Sequence, residues 1–149
     1  MASRISAGGT TAILPAMSKP VLAGAGPLYA LADPSDQYHL RARAELERLN
    51  STDHFVAITY PTLAEAYTLV LRRLGIAYAH QWLRELLDAA MLINPDPGDY
   101  LKAFGLIQSL RDQPVTLFDA VAAAVSQRLN LAVWTYDRHF ALLGARRWG

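Results

Sequence analysis

The sequence runs to 149 residues, 52% of them hydrophobic and only 18% charged, with a formal net charge of +1. That length suits one domain with a substantial core, and a mean hydropathy of +0.12 argues against a disordered chain. The absence of cysteine excludes disulfides, zinc–thiolate centres and a cysteine nucleophile, and no apolar run reaches the ~18 residues of a membrane span.

Arginines cluster at 41, 43 and 48, at 72 and 73, and at 146 and 147. Each cluster also fits a solvated helix face or tail, so charge neither demands nor excludes a nucleic-acid partner. Residues 1–18 lack the coherent apolar stretch of a signal peptide and read as a loose tail. A single domain over 19–149 follows, with Met17 a candidate natural start and a cytoplasmic location the expectation.

In chain order, Val21 and Leu22 open a short strand that exits through Gly24-Ala25-Gly26. Pro27 suits the first turn of a helix, where its missing N–H costs nothing. Ser35 or Asp36 is placed to cap a helix running to about Leu49. "HFVAITY", residues 54–60, is β-branched and aromatic and predicts a buried strand. Leu63, Ala66, Tyr67, Val70 and Leu74 then recur at helical spacing, and a second helix carrying Trp82, Leu83, Leu86 and Leu87 follows Gly75. "AMLINPDPG" predicts a short strand and turn, and Tyr100 to Arg111 a helix. "TLFDAVAAAVSQRLN" predicts a further helix, and Leu131–Thr135 a strand leading into a last short helix at "RHFALLG". Repeated strand–helix alternation with strands apolar throughout points to an α/β fold whose mostly parallel sheet is covered on both faces.

Three acids fall at equivalent places in this pattern. Glu65 and Asp119 lie in the first turns of helices, and Asp137 lies just beyond the last strand. Strand ends and helix starts share one edge of a parallel sheet, where open α/β folds place their sites. Carboxylates gathered there repel unless protonated or bridged by a cation, for which Mg²⁺ or Mn²⁺ is the natural choice. Each acid also has a bland explanation. Thr62–Glu65 and Thr116–Asp119 have capping spacing, Asp137 can cap the final helix, and acids are favoured at helix N-termini anyway. Glu65 falls off the apolar stripe of its helix, so nothing in the pattern requires it to enter a cleft. His39, His54, His80 and His139 show no metal-ligand spacing, with His139 a possible neighbour of Asp137. Gly24-Ala25-Gly26 is neither a dinucleotide fingerprint nor a phosphate loop with its lysine.

"VLAGAGPLYALAD", "TLAEAYTLVLRRLG", "TLFDAVAAAVSQRLN" and "VWTYDRHF", taken in order from Val21 to Leu143, resemble the blocks of PIN-domain ribonucleases, above all bacterial toxins of the VapC type. The resemblance implies a three-layer α/β/α fold and an Mg²⁺- or Mn²⁺-dependent endoribonuclease, neutralised by a small protein antitoxin and forming homodimers. It assigns Glu65, Asp119 and Asp137 to a four-acid catalytic and metal-binding pocket whose first aspartate falls at Gly24. Thr116 and Thr135, and more weakly Thr59, become candidates to support the acids, and Arg138 a candidate for RNA backbone. Asp33 and Asp36 lie too far along the chain to replace the missing carboxylate, though either could rim the pocket. Glycine at position 24 predicts lost or strongly impaired cleavage. It reads as an engineered inactivation, because the rest of the pocket pattern is regular; the alternative is a naturally degenerate PIN domain that binds RNA or protein without cutting.

Overall fold

The computed structural model describes residues 18–149. The expected tail and the candidate start at Met17 therefore lie outside the described residues, apart from Ser18.

The strands are β1 (Lys19–Ala23), β2 (His54–Thr59), β3 (Met91–Ile93) and β4 (Val133–Trp134), all parallel in the order β3-β2-β1-β4. Helices α1 (Ala25–Ala32) and α2 (His39–Ser51) connect β1 to β2, and α3 (Tyr60–Leu74) and α4 (Ile76–Ala89) connect β2 to β3. Helices α5 (Pro97–Ser109) and α6 (Leu117–Leu129) carry the chain back across the sheet to β4, and α7 (His139–Leu142) follows it.

Strand alternation divides the core in two. Val21, Ala23, Val56, Ile58 and Trp134 pack under α1 to α4 with Leu28, Leu49, Val70 and Leu86. Leu22, Ala57 and Val133 point the other way, under Ala103, Val121, Val125, Phe140 and Leu143 of α5 to α7 and the turn beyond. The result is the expected three-layer α/β/α sandwich, with strands apolar on both faces because both are covered.

Local chemistry explains most boundaries. Pro20 sits in a central strand because β4 meets β1 only at Leu22 and Ala23, so no β4 partner awaits its missing N–H. The Thr59 side chain accepts the Thr62 amide and starts α3 at Tyr60, so the strand expected through residue 60 ends at Thr59. Gly75, at φ 93°, supplies the positive angle that separates α3 from α4.

Several expected boundaries move. The helix expected from Ser35 or Asp36 begins at His39, because Asp33 and Asp36 spend their carboxylates in turns, Asp33 on Ser35 and Asp36 on the Tyr38 amide. Helix α5 starts at Pro97 rather than Tyr100, where Asp96 and Asp99 form a reciprocal capping box. The last strand shortens from Leu131–Thr135 to Val133–Trp134; its outer side is covered where Val133 bonds to the backbone of Arg146 and Trp148. Among the described residues no helix is long and apolar enough to cross a membrane.

Candidate active site

Connections leave β1 and β4 in opposite directions, β1 toward the α1–α4 layer and β4 toward α7 on the other face. Adjacent parallel strands whose chains diverge in this way open a crevice at their carboxyl ends. A cleft of about 580 Å³ lies there, and Gly24, Glu65, Asp119 and Asp137 all line it. Four separate segments deliver them: the exit of β1, helix α3, the start of α6 and the exit of β4. Thr116, Thr135 and Arg138 line the same cleft.

Glu65 reaches the cleft from the second turn of α3, because α3 starts at Tyr60, earlier than the Thr62–Glu65 spacing suggests. The side chain is partly buried, and its Oε1 has no hydrogen-bond partner although it is shielded from solvent. Burial alone pushes its carboxyl above the ordinary range. An unpaired buried carboxylate oxygen is costly, and here it borders a cleft that also holds two more acids.

Asp119 stands in the first turn of α6, which Thr116 caps by accepting the Asp119 amide at 3.2 Å. Burial, followed by repulsion from Glu65 and Asp137, raises its carboxyl from 3.8 to about 7.

Asp137 is fixed by its own turn: its amide donates to Thr135 Oγ1 at 3.0 Å, and its Oδ1 accepts the His139 amide at 2.8 Å. His139 Nδ1 lies 2.9 Å from the same oxygen. The helix-start role read for Asp137 and its position on the cleft are thus both present.

Thr59 does not reach the cleft. It is fully buried and its hydroxyl is spent on Thr62, both as cap and as donor to the Thr62 hydroxyl. Asp33 does not line the cleft either, since Tyr29 and Ser35 hold its carboxylate elsewhere.

Gly24 sits between β1 and α1, with φ −83° and ψ 172°, extended backbone open to any residue. A Cβ placed there would meet Trp134 O at 3.5 Å and Thr135 Oγ1 at 3.6 Å, ordinary contact distances. Neither backbone angle nor space requires glycine.

Among the described residues, no group of three or more His, Asp or Glu is preassembled to hold a metal ion. The residues nonetheless fit a divalent cation by chemistry: hard carboxylate donors, one buried oxygen without a partner, and an acid whose proton affinity is raised by burial and then by its acidic neighbours. His139 keeps one oxygen of Asp137 engaged.

Sequence reading missed Tyr136, which lines the cleft beside Gly26. It also missed Glu45, which accepts from both Tyr136 Oη and Trp134 Nε1. The only available signal for Tyr136 was its place between Thr135 and Asp137; nothing local could have linked Glu45 to them.

The PIN domain family model matches residues 28–145. No curated protein sequence matches the chain. Among solved structures, it is similar to Mycobacterium tuberculosis VapC20, described as a sarcin–ricin loop cleaving toxin, with TM-score 0.74 and 19% identity over 86% of this chain and 98% of that one. It is similar to Rickettsia felis VapBC2, solved bound to a DNA fragment from its promoter, with TM-score 0.68 and 15% identity over 86% and 96%. A Pyrobaculum aerophilum protein, PAE2754, gives TM-score 0.58 and 23% identity over 87% and 83%. With most of its length matched by that family model, the chain belongs to the PIN-domain family.

Proposed function

We propose that the chain is the scaffold of a metal-dependent endoribonuclease, the toxin of a toxin–antitoxin pair, in which Gly24 occupies the place of a catalytic aspartate and leaves cleavage lost or strongly impaired. One observation carries this reading above the others: four separate segments bring Gly24, Glu65, Asp119 and Asp137 to one cleft, where Glu65 keeps a buried oxygen unpaired. Family membership and the likeness to a toxin described as cleaving the sarcin–ricin loop support it. Likeness to VapBC2 supports a small protein antitoxin as partner, and homodimer formation belongs to the same reading.

Glu65, Asp119 and Asp137 would hold Mg²⁺ or Mn²⁺. When bound, that ion supplies electrostatic stabilisation of charge on the phosphoryl oxygens and lowers the pKa of water. The protein's own contribution is placement. Asp137 is oriented by Thr135 and His139, Asp119 by the cap of α6, and Glu65 by the second turn of α3. Arg138, exposed at the cleft, is suited to an RNA phosphate. Glycine at position 24 contributes no ligand, so both metal retention and positioning of the scissile phosphate fall to the remaining acids.

The test is RNA cleavage. Gly24→Asp should cut a total bacterial RNA pool in the presence of Mg²⁺ or Mn²⁺, with EDTA or an added Glu65→Gln abolishing the products. Failure of the aspartate form to cut any RNA, while it binds RNA well, would favour a domain that binds without cleaving.

A further inference from the structure

Tyr136 borders the cleft and immediately precedes Asp137, but its environment differs from that of the acids. Its ring lies against Gly26, where a Cβ would stand 3.7 Å from the ring edge. The Tyr38 ring approaches to 4.9 Å between centroids at a 37° tilt. The Arg41 guanidinium lies 4.5 Å from the Tyr136 centroid and 5.9 Å from that of Tyr38. Tyr38 is 38% exposed and the Arg41 side chain 53% exposed. Two exposed planar groups, Tyr38 and Arg41, thus pack on a ring that lines the cleft.

The arrangement is anchored from a distant element. Glu45 on α2 accepts Tyr136 Oη at 2.6 Å, Trp134 Nε1 at 3.1 Å and Arg41 Nε at 3.3 Å. Burial opposes ionisation of Glu45, but these donors outweigh it and hold its carboxyl below the ordinary range. Three donors converging on one half-buried carboxylate fix the Tyr136 and Trp134 rings and the Arg41 side chain relative to one another.

We propose that Tyr38, Arg41 and Tyr136 form a subsite that stacks an unpaired base of single-stranded RNA, with Glu45 as the positioning residue that fixes the Tyr136 ring and the Arg41 side chain. The proposal rests on the nuclease reading above and names where a nucleotide beside the cleft would be held. Bases stack on aromatic faces and on guanidinium planes, and every base has such a face. The exposed Arg41 guanidinium adds a positive charge that complements a nucleic-acid strand.

Fluorescence anisotropy with short labelled single-stranded RNAs of mixed sequence, and with abasic RNAs of the same length, tests this on the chain as it stands. Base-bearing RNA should bind more tightly than abasic RNA. Tyr38→Ala and Tyr136→Leu should each lower affinity for base-bearing RNA about fivefold or more and leave abasic RNA unchanged. Glu45→Gln should give a smaller loss that is again confined to base-bearing RNA. Thermal melts identify any variant that has unfolded; Tyr38→Ala, at an exposed position, is expected to stay folded. Arg138→Ala should weaken both kinds of RNA. Equal binding of the two RNAs, or equal losses on both in the tyrosine variants, would overturn the subsite while sparing the nuclease reading. A parent chain that binds neither RNA would overturn the subsite and leave the nuclease reading to the cleavage assay of Gly24→Asp. Unchanged RNA affinity with altered sedimentation of the free Tyr38→Ala protein would mark the cluster as a contact between copies, and the subsite would fall.

Discussion

Gly24 donates its amide to the Trp134 carbonyl at 2.8 Å, and a Cβ added to Gly24 would stand 3.5 Å from that same oxygen. β1 and β4 are thus joined at the point where a side chain from one would emerge beside the Thr135–Asp137 turn of the other. The joint is made by backbone, so it survives any residue at 24 that can adopt extended geometry. Aspartate is such a residue.

Gly24→Asp is therefore expected to fold normally. Without metal, a fourth carboxylate added to the cleft should cost on the order of 1 kcal/mol through repulsion. Saturating Mn²⁺ should reverse the sign, because an ion held only by the folded state adds about 2.7 kcal/mol when present at roughly a hundred times its dissociation constant. Thermal melts with Mn²⁺ and with EDTA check both directions.

Asp119 should make the metal-free protein less stable as pH rises. Its folded-state value is about 7 against an ordinary 3.8, so between those values the folded chain holds a proton that the unfolded chain has released. Stability then falls as pH climbs through that window and levels off above it. Asp119→Asn removes this dependence. With EDTA it should raise stability by on the order of 2 kcal/mol near pH 8 and by little near pH 4. Urea unfolding at the two pH values distinguishes this from a uniform gain.

The Asp99–Arg128 pair should act in the opposite sense. Asp99 is 3% exposed, accepts Arg128 Nε and Nη2 at 2.9 and 2.7 Å, and completes the capping box of α5. Arg128 is the main cause holding its carboxyl below the usual range, so the stability it supplies is present above about pH 4 and fades as pH falls further. Asp99→Asn should cost about 2 kcal/mol at neutral pH, with the difference shrinking in acid. Urea titrations of both proteins across the acid range would show it.

Much of the candidate cleft lining was legible because its parts lie at chain positions that a parallel sheet must bring together. Gly24 follows β1, Asp137 follows β4, and Asp119 opens α6. Glu65 was legible as an acid near a helix start but not as a cleft residue, since periodicity shows only that it avoids the apolar stripe. Its second-turn position depends on Thr59 taking the capping role that the Thr62–Glu65 spacing suggests for Thr62. The Thr59 hydroxyl is consumed by that same cap. The start of α2 was misplaced because Ser35 and Asp36 can serve either a turn or a helix, and here both are spent in turns, Ser35 on Asp33 and Asp36 on the Tyr38 amide. Glu45 lies 89 and 91 residues from the partners it holds, beyond any local pattern.

Titration calorimetry of Mn²⁺ into the chain and into Gly24→Asp, both stripped of metal, tests most directly the claim that position 24 lacks one ligand of a metal site. Loss even of outer-shell partners costs metal sites roughly tenfold to a hundredfold in affinity. The aspartate form should therefore bind at least tenfold more tightly, and Glu65→Gln added to it should remove most of the gain. Equal affinity in the two proteins would contradict the account and leave Gly24 as an ordinary residue of a cleft that serves another purpose.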